Sequence, residues 1–255
     1  MNGIVLITGV SKGLGKALAK EFKMQDFFVI GISRTNLDYP FIDYHIQIDL
    51  YDKNSINILK EKIFSKFDHI DIVVNNAGIG IYESVLDIDI YDLKKVFELN
   101  VFKPIEIIRI LYPLVKKSKS FGYIANITSV AAYLEVPYMG GYCASKSALS
   151  MITKTLRTEL FYDNIKIIEV IPGRINTGFS SRSLGSKKVP DTPSGGTSPE
   201  DFAKYVVKNI LKGKEIIFYP FWYKYFLVFV KIFKKIYIKL SLKFWNNANK
   251  LKKRR

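Results

Sequence analysis

Two side chains in the stretch "YCASK" set the chemistry, because Tyr142 and Lys146 stand four residues apart and so share one face of a helix. A tyrosine titrates near 10 in water and is a poor acid–base catalyst at neutral pH by itself. An ammonium beside it favours the phenolate and brings proton transfer within reach. Ser129, in "NITSVAAY" just past an apolar run, precedes Tyr142 by 13 residues and offers a hydroxyl that can steady developing charge on an oxygen. Together they suit proton transfer to or from a carbonyl or alcohol oxygen. The spacing Y-x-x-x-K alone is weak, since such pairs arise often on helix surfaces. Cys143, between the two, is the only cysteine and reads as a small buried filler. Met139 and Tyr138 before this helix either line a cleft or merely pack.

A second cluster suits phosphate. "TGVSKGLG" (Thr8–Gly15) follows the apolar run "GIVLIT" and opens a helical pattern. Gly9, Gly13 and Gly15 permit a tight turn and close backbone approach of a pyrophosphate. The helix N-terminus behind them supplies free N–H groups and the positive end of its dipole. The plain alternative is an ordinary strand–helix turn, but the placement favours a dinucleotide site. "ISRTN" ends the next apolar run. A ribose with a free 2′-OH usually meets an acid there, whereas a 2′-phosphate needs a cation. Arg34 offers a planar fork and Lys12 a second charge, so NADPH is expected over NADH, with Asp38 a weak counter-signal.

The elements that must position these groups alternate. Strands are predicted at Gly3–Thr8, Phe27–Ile32, Tyr44–Asp49, Ile70–Gly78, Tyr123–Thr128, Ile165–Ile171 and Glu215–Tyr219. Helices are predicted over Gly13–Met24, with Leu14, Ala17, Leu18 and Phe22 on one face, over Ser55–Phe67, and from Ser198 onward with Pro199 at its first position. Such alternation implies an α/β domain with a parallel sheet, helices on both faces and ligand sites just after the strands.

The chain resembles the short-chain dehydrogenase/reductase family over residues 1–220. The resemblance rests on the glycine turn, Asp49 after the third strand, "NNAG" at Asn75–Gly78, Asn100 in "ELNVF", Ser129, the Tyr142/Lys146 pair and "PGRINT" at Pro172–Thr177. It implies a Rossmann-type doubly wound sheet of about seven strands. It also implies a catalytic tetrad of Asn100, Ser129, Tyr142 and Lys146. Tyr142 would donate the proton, with Lys146 holding the nicotinamide ribose and Ser129 the substrate oxygen. Asn100 would hold a water that links Lys146 to solvent. NADPH/NADP+ would touch Thr8, Gly9, Ser11, Lys12, Gly13, Leu14, Gly15, Arg34, Asp49, Leu50, Asn76, Ala77, Gly78, Tyr142, Lys146, Pro172, Gly173, Ile175 and Thr177. A homodimer or homotetramer is the matching expectation for assembly. Substrate choice would fall to Gly178–Asp201, a polar stretch rich in Gly, Ser and Pro that reads as a mobile lid.

Charge separates the last segment from the rest. The 255-residue chain carries +16, yet residues 221–255 hold 11 Lys or Arg and no acid, leaving 28 basic against 23 acidic side chains before them. The body is therefore ordinary in charge, and no nucleic-acid partner is expected. His45, His69 and Cys143 have no metal-ligand spacing. One cysteine and an N-terminus without a basic, apolar leader suggest a cytoplasmic body. In "FWYKYFLVFVKIFKKIYIKLSLKFW" no uncharged run is long enough to span a bilayer. On one helical wheel Lys224, Lys231, Lys234, Lys235, Lys239 and Lys243 oppose Phe226, Phe229, Phe233, Ile236, Leu240 and Phe244. That pattern predicts a single amphipathic helix lying in an anionic membrane surface, peripheral on the cytosolic face, or else a helix docked on the sheet or on a partner subunit. Three functions compete: an NADPH-dependent reductase of a small apolar or lipid ketone, a soluble 3-oxoacyl-thioester reductase of fatty-acid synthesis, and a non-catalytic NADP-binding scaffold. The intact tetrad disfavours the last, and the tail disfavours the second.

Overall fold

The apolar runs pair into one parallel seven-stranded sheet, ordered β3-β2-β1-β4-β5-β6-β7. The computed structural model describes residues 1–187 and 196–252. The strands are β1 (Gly3–Thr8), β2 (Phe27–Ser33), β3 (Tyr44–Gln47), β4 (Ile72–Asn75), β5 (Gly122–Ile127), β6 (Ile165–Pro172) and β7 (Ile216–Tyr219). Val5 sits opposite both Val29 and Ile72, so β1 is central and its side chains are shut from water on both faces. That is why these segments read as continuous apolar runs rather than alternating ones.

Helices cover both faces. On one, α1 (Gly13–Met24) and α6 (Pro199–Leu211) pack together over a core that includes Leu18, Phe22, Phe202 and Val206. On the other, α2 (Ser55–Phe64), α4 (Lys103–Val115) and the C-terminal half of α5 (Gly140–Glu159) enclose Leu59, Ile63, Ile107 and Leu111. Ser198 caps α6 as expected, its Oγ accepting from Asp201 N at 3.0 Å ahead of Pro199. The helix α3 (Ile90–Phe97) is capped by Asp89 and runs into a single π turn at Glu98–Phe102 before α4. The chain steps outward from β1 to β2 and β3, then returns to β4 on the other side. The switch point, where two loops diverge and leave a crevice, therefore lies between the carboxyl ends of β1 and β4.

The C-terminal segment departs from a single helix. It is helical, but in two pieces, α7 (Tyr223–Ile232) and α8 (Lys234–Lys252), divided at Phe233, where φ −106° and ψ 41° leave the helical region. The wheel that set lysines against aromatics does not describe which side packs. The face of α8 that meets the body carries Tyr237, Ile238, Ser241 and Trp245, and Trp245 is 2% exposed against the Tyr138 ring at 5.3 Å. Ile236, Leu240 and Phe244 point outward, as do Lys235, Lys239 and Lys243. No described helix is long and apolar enough to cross a membrane.

Candidate active site

Above the switch point lies a cleft of about 610 Å³, and the two sequence clusters meet in it. At its phosphate end β1 gives way to the turn before α1. Gly9 (φ +75°) and Gly13 (φ +57°) adopt left-handed backbone that an L side chain resists. A Cβ on Gly15 would overlap the Gly9 carbonyl and lie 2.5 Å from the Asn76 side chain. Here the turn and the first turn of α1 pack directly on one another, with only the Asn76 amide between them and the β4 loop, leaving a cradle of backbone N–H groups at the start of α1. Such a cradle fits a pyrophosphate.

Not every expected contact is available. Thr8 is 1% exposed and does not face the cleft; its Oγ1 accepts from the backbone N–H groups of Asn76 (3.0 Å) and Ala77 (2.9 Å). The Asn76 side chain is likewise used internally, donating to the Thr8 carbonyl at 2.9 Å and the Gly9 carbonyl at 3.3 Å. Both stitch the β1 and β4 loops together. The other expected positions, Ser11, Lys12, Leu14, Arg34, Asp49, Leu50, Ala77, Gly78, Pro172, Gly173, Ile175 and Thr177, line the cleft, as Asn76 does. Arg34 and Lys12 are exposed at its rim, whereas Asp38 is not among the lining residues.

At the other end stand Tyr142, Lys146 and Ser129, all buried and all lining the cleft. Ser129 ends the β5 loop beside the Tyr142 phenol, while its Oγ accepts from Ala131 N at 3.1 Å. Burial pushes the Tyr142 pKa well above that of free tyrosine, so the phenol holds its proton at neutral pH. Burial also lowers Lys146 to about 8, and its Nζ donates to the Ile127 carbonyl at 2.8 Å. Gly78 lies against this group: a Cβ there would stand 3.1 Å from Asn100 Oδ1 and 3.5 Å from the Lys146 Nζ.

Asn100 sits behind this group, fully buried in the π turn and outside the cleft lining. Its Oδ1 accepts from Ile79 N at 2.9 Å, and its Nδ2 donates to the Ile79 carbonyl at 2.9 Å and to Ser145 Oγ at 3.0 Å. It thereby ties the loop after β4 to α5, and these bonds account for its donors. A second tie was not foreseen: Asn75 Nδ2 donates to Asn126 Oδ1 at 2.8 Å, and Asn126 Nδ2 donates to Thr153 Oγ1 at 2.9 Å. This buried ladder pins α5 to β4 and β5, fixing where Tyr142 and Lys146 emerge. Glu169 of β6, fully buried, accepts from Thr128 Oγ1 at 3.0 Å and Tyr133 OH at 2.8 Å, residues flanking Ser129. A charge inside the apolar run "KIIEVIP" was the available signal for it.

Over the catalytic end lies an apolar roof that the sequence did not announce. Trp222, Tyr223 and Phe226 line the cleft with Phe179, Leu134, Val136 and Met139. The Tyr223 ring takes the place that a Cβ on Gly173 would occupy, and the Phe179 ring lies 5.6 Å from that of Tyr142. Met139 therefore lines the cleft, while Tyr138 packs against Trp245. The described part of the expected lid is held down: Leu184 bridges to Ile81, Tyr82 N donates to the Leu184 carbonyl at 2.9 Å, and Ser186 N donates to Glu83 Oε2 at 2.8 Å. Residues 188–195 of that stretch lie outside the described residues.

Residues 3–187 match the family model for short chain dehydrogenase. The chain belongs to the short-chain dehydrogenase/reductase family. Among members of this family it is 31% identical, over 84% of its length and 88% of the relative's, to an NADP-dependent 3-hydroxy acid dehydrogenase of Schizosaccharomyces pombe. It is also 31% identical to a 3-ketodihydrosphingosine reductase of Bacteroides thetaiotaomicron, over 69% of this chain and 65% of that one. Its fold matches a short-chain dehydrogenase of Sphingobium yanoikuyae solved in complex with NADPH, with TM-score 0.77, 19% identity and 94% of each chain covered. As a short-chain dehydrogenase/reductase the chain is an NAD(P)-dependent oxidoreductase.

Proposed function

We propose that this short-chain dehydrogenase/reductase uses NADPH to reduce the ketone of a lipid-like, apolar substrate at an anionic membrane surface. The observation that carries the reading is the roof: Phe179, Tyr223, Phe226, Met139 and Val136 give the catalytic end of the cleft an apolar wall, beside which Arg174 and Arg182 also line the cleft and Arg182 is tied down to the Thr177 carbonyl at 3.1 Å. An apolar substrate gains roughly 25 cal/mol for each Å² it buries there. The relative named for 3-ketodihydrosphingosine reduction supports the same class, and the one named as an NADP-dependent dehydrogenase supports the cofactor. Arg34 and Lys12 at the rim, with Asp38 outside the lining, favour a 2′-phosphate.

A nicotinamide cofactor held in this cleft supplies the hydride. Tyr142, kept protonated by burial, gives its proton to the carbonyl oxygen, and the Ser129 hydroxyl donates to the same atom. Lys146 at about 8 is mainly cationic at pH 7, so it steadies the phenolate left behind. Asn100 keeps the Gly78–Ile79 loop and α5 in register around that lysine.

The membrane contact rests on the outward side of α8, where Ile236 (50% exposed), Leu240 (60%) and Phe244 (46%) form an apolar flank beside Lys235, Lys239 and Lys243. The test is NADPH oxidation by the purified full-length protein. A long-chain 3-keto ester in mixed micelles should be turned over with a kcat/KM at least tenfold above that of short water-soluble ketones. Turnover of short thioesters alone would replace this reading with a soluble thioester reductase. Co-sedimentation with phosphatidylglycerol vesicles, weakened by salt and absent with phosphatidylcholine, tests the surface contact. Equal partition to both vesicle types would remove it.

A further inference from the structure

Beside the cleft, between α8 and the segment that leads into α5, lies a second space of about 440 Å³. Leu134 and Val136 border both spaces, so the two are neighbours through that segment. The rest of the wall includes Cys143 from the first turn of α5 and Ile238 and Leu242 from α8. Of its polar side chains, Glu135 pairs with Lys234 at 2.7 Å and Ser241 lies beside the Tyr237 hydroxyl. Nothing charged is left to hold a polar head. Leu242 is 45% exposed, which places the outer edge of the space beside the apolar flank of α8.

We propose that this second space binds the distal, unbranched hydrocarbon portion of the ketone substrate, entering past Leu134 and Val136 while the carbonyl rests at Tyr142 and Ser129. The inference rests on the apolar-ketone reading above and extends it. A ketone of a few carbons is small enough for the first cleft, of about 610 Å³, and has no need of the second. A long chain needs further apolar surface, and this space adjoins the cleft on the α8 side through Leu134 and Val136. Burying the chain there removes it from water at roughly 0.8 kcal/mol per methylene, so apparent affinity should climb with chain length.

Cys143 makes the assignment testable, because it is the chain's single cysteine and lines the second space. Its burial raises the thiol pKa, so labelling is followed at pH 8.5 with uncharged methyl methanethiosulfonate, reading adduct formation by mass spectrometry. In the full-length protein with NADP+ present, 2-pentadecanone should slow labelling at least tenfold, and 2-butanone should leave it unchanged. A second arm uses Ile238→Trp, which fills the space from the α8 side. The ratio of kcat/KM for 2-pentadecanone over 2-butanone should fall at least tenfold. If 2-pentadecanone is turned over yet neither protects Cys143 nor responds to Ile238→Trp, the second space is not its site and the proposal is overturned. If Cys143 is protected by 2-pentadecanone but neither ketone is reduced, the cavity assignment stands and the ketone-reductase reading falls.

Discussion

Lys146 carries a cost that the fold bears for the sake of chemistry, and removing it has a computable signature. Burial lowers this ammonium from its ordinary 10.5 to about 8. At roughly 1.4 kcal/mol per pH unit, that gap destabilises the cofactor-free fold by about 3 kcal/mol at neutral pH. Below pH 8 both folded and unfolded chains carry the proton and the full penalty applies. Between pH 8 and 10.5 the unfolded chain keeps the proton that the folded chain has lost, so folding stability rises with pH there. By pH 9.5 about 2 kcal/mol of the penalty should be gone. Lys146→Met removes the ionisable group and leaves the Ile127 carbonyl without its 2.8 Å donor, a loss of about 1 kcal/mol that does not depend on pH. Urea unfolding of the cofactor-free proteins should therefore show the variant more stable than wild type by about 2 kcal/mol at pH 7. Near pH 9.5 that advantage should vanish. Comparing the two proteins at each pH cancels every other titrating group. A difference constant between pH 7 and 9.5, whatever its size, would refute the argument, since it would mean that Lys146 titrates as a solvated lysine.

Other parts of the account give separate expectations. Gly15→Ala should raise the dissociation constant for NADPH at least tenfold, measured by fluorescence titration, because its Cβ overlaps the Gly9 carbonyl; unchanged binding would mean that the turn is not the phosphate cradle. Arg34→Ala should raise KM for NADPH at least tenfold while leaving KM for NADH within twofold, and equal effects on both would make Arg34 a structural residue. Glu169→Leu should cost about 1–3 kcal/mol in urea unfolding, because the Thr128 and Tyr133 hydroxyls lose their buried acceptor, whereas Glu169→Gln keeps an acceptor oxygen and most of that stability.

The sheet was legible because central parallel strands are apolar on both faces, and the phosphate turn because it needs glycines at fixed places. The strand ends were less so, since β3 stops at Gln47 and β4 runs only over Ile72–Asn75 where the apolar runs continue further. Helix α1 begins and ends where its pattern predicts, at Gly13 and Met24. That Tyr142, Lys146 and Ser129 gather in one cleft was legible for a similar reason: a helix fixes how far Tyr142 stands from Lys146. What escaped depended on contacts distant in sequence. Thr8 and Asn76 carry the right residue types for a ligand, yet their side chains join two loops, which no local pattern reveals. Asn100 lies in a π turn, and apolar periodicity does not distinguish that turn from the α-helices on either side. The tail shows the limit most clearly. The helical wheel assumed one continuous helix, but the chain breaks at Phe233, and Trp245 is drawn in by Tyr138, 107 positions earlier in the sequence. The face that packs is set by the shape of the body, not by the segment's own amphipathicity.

The central claim is that Tyr142 hands its proton to a ketone oxygen while a nicotinamide delivers hydride. Its most direct test is single-turnover oxidation of bound NADPH by Tyr142→Phe, with NADPH affinity measured in parallel. The account predicts a rate lower by about 10²–10⁴-fold with affinity kept within a few-fold, because only the proton donor has been removed. A variant that retains the wild-type rate would place the proton donor elsewhere and contradict the mechanism.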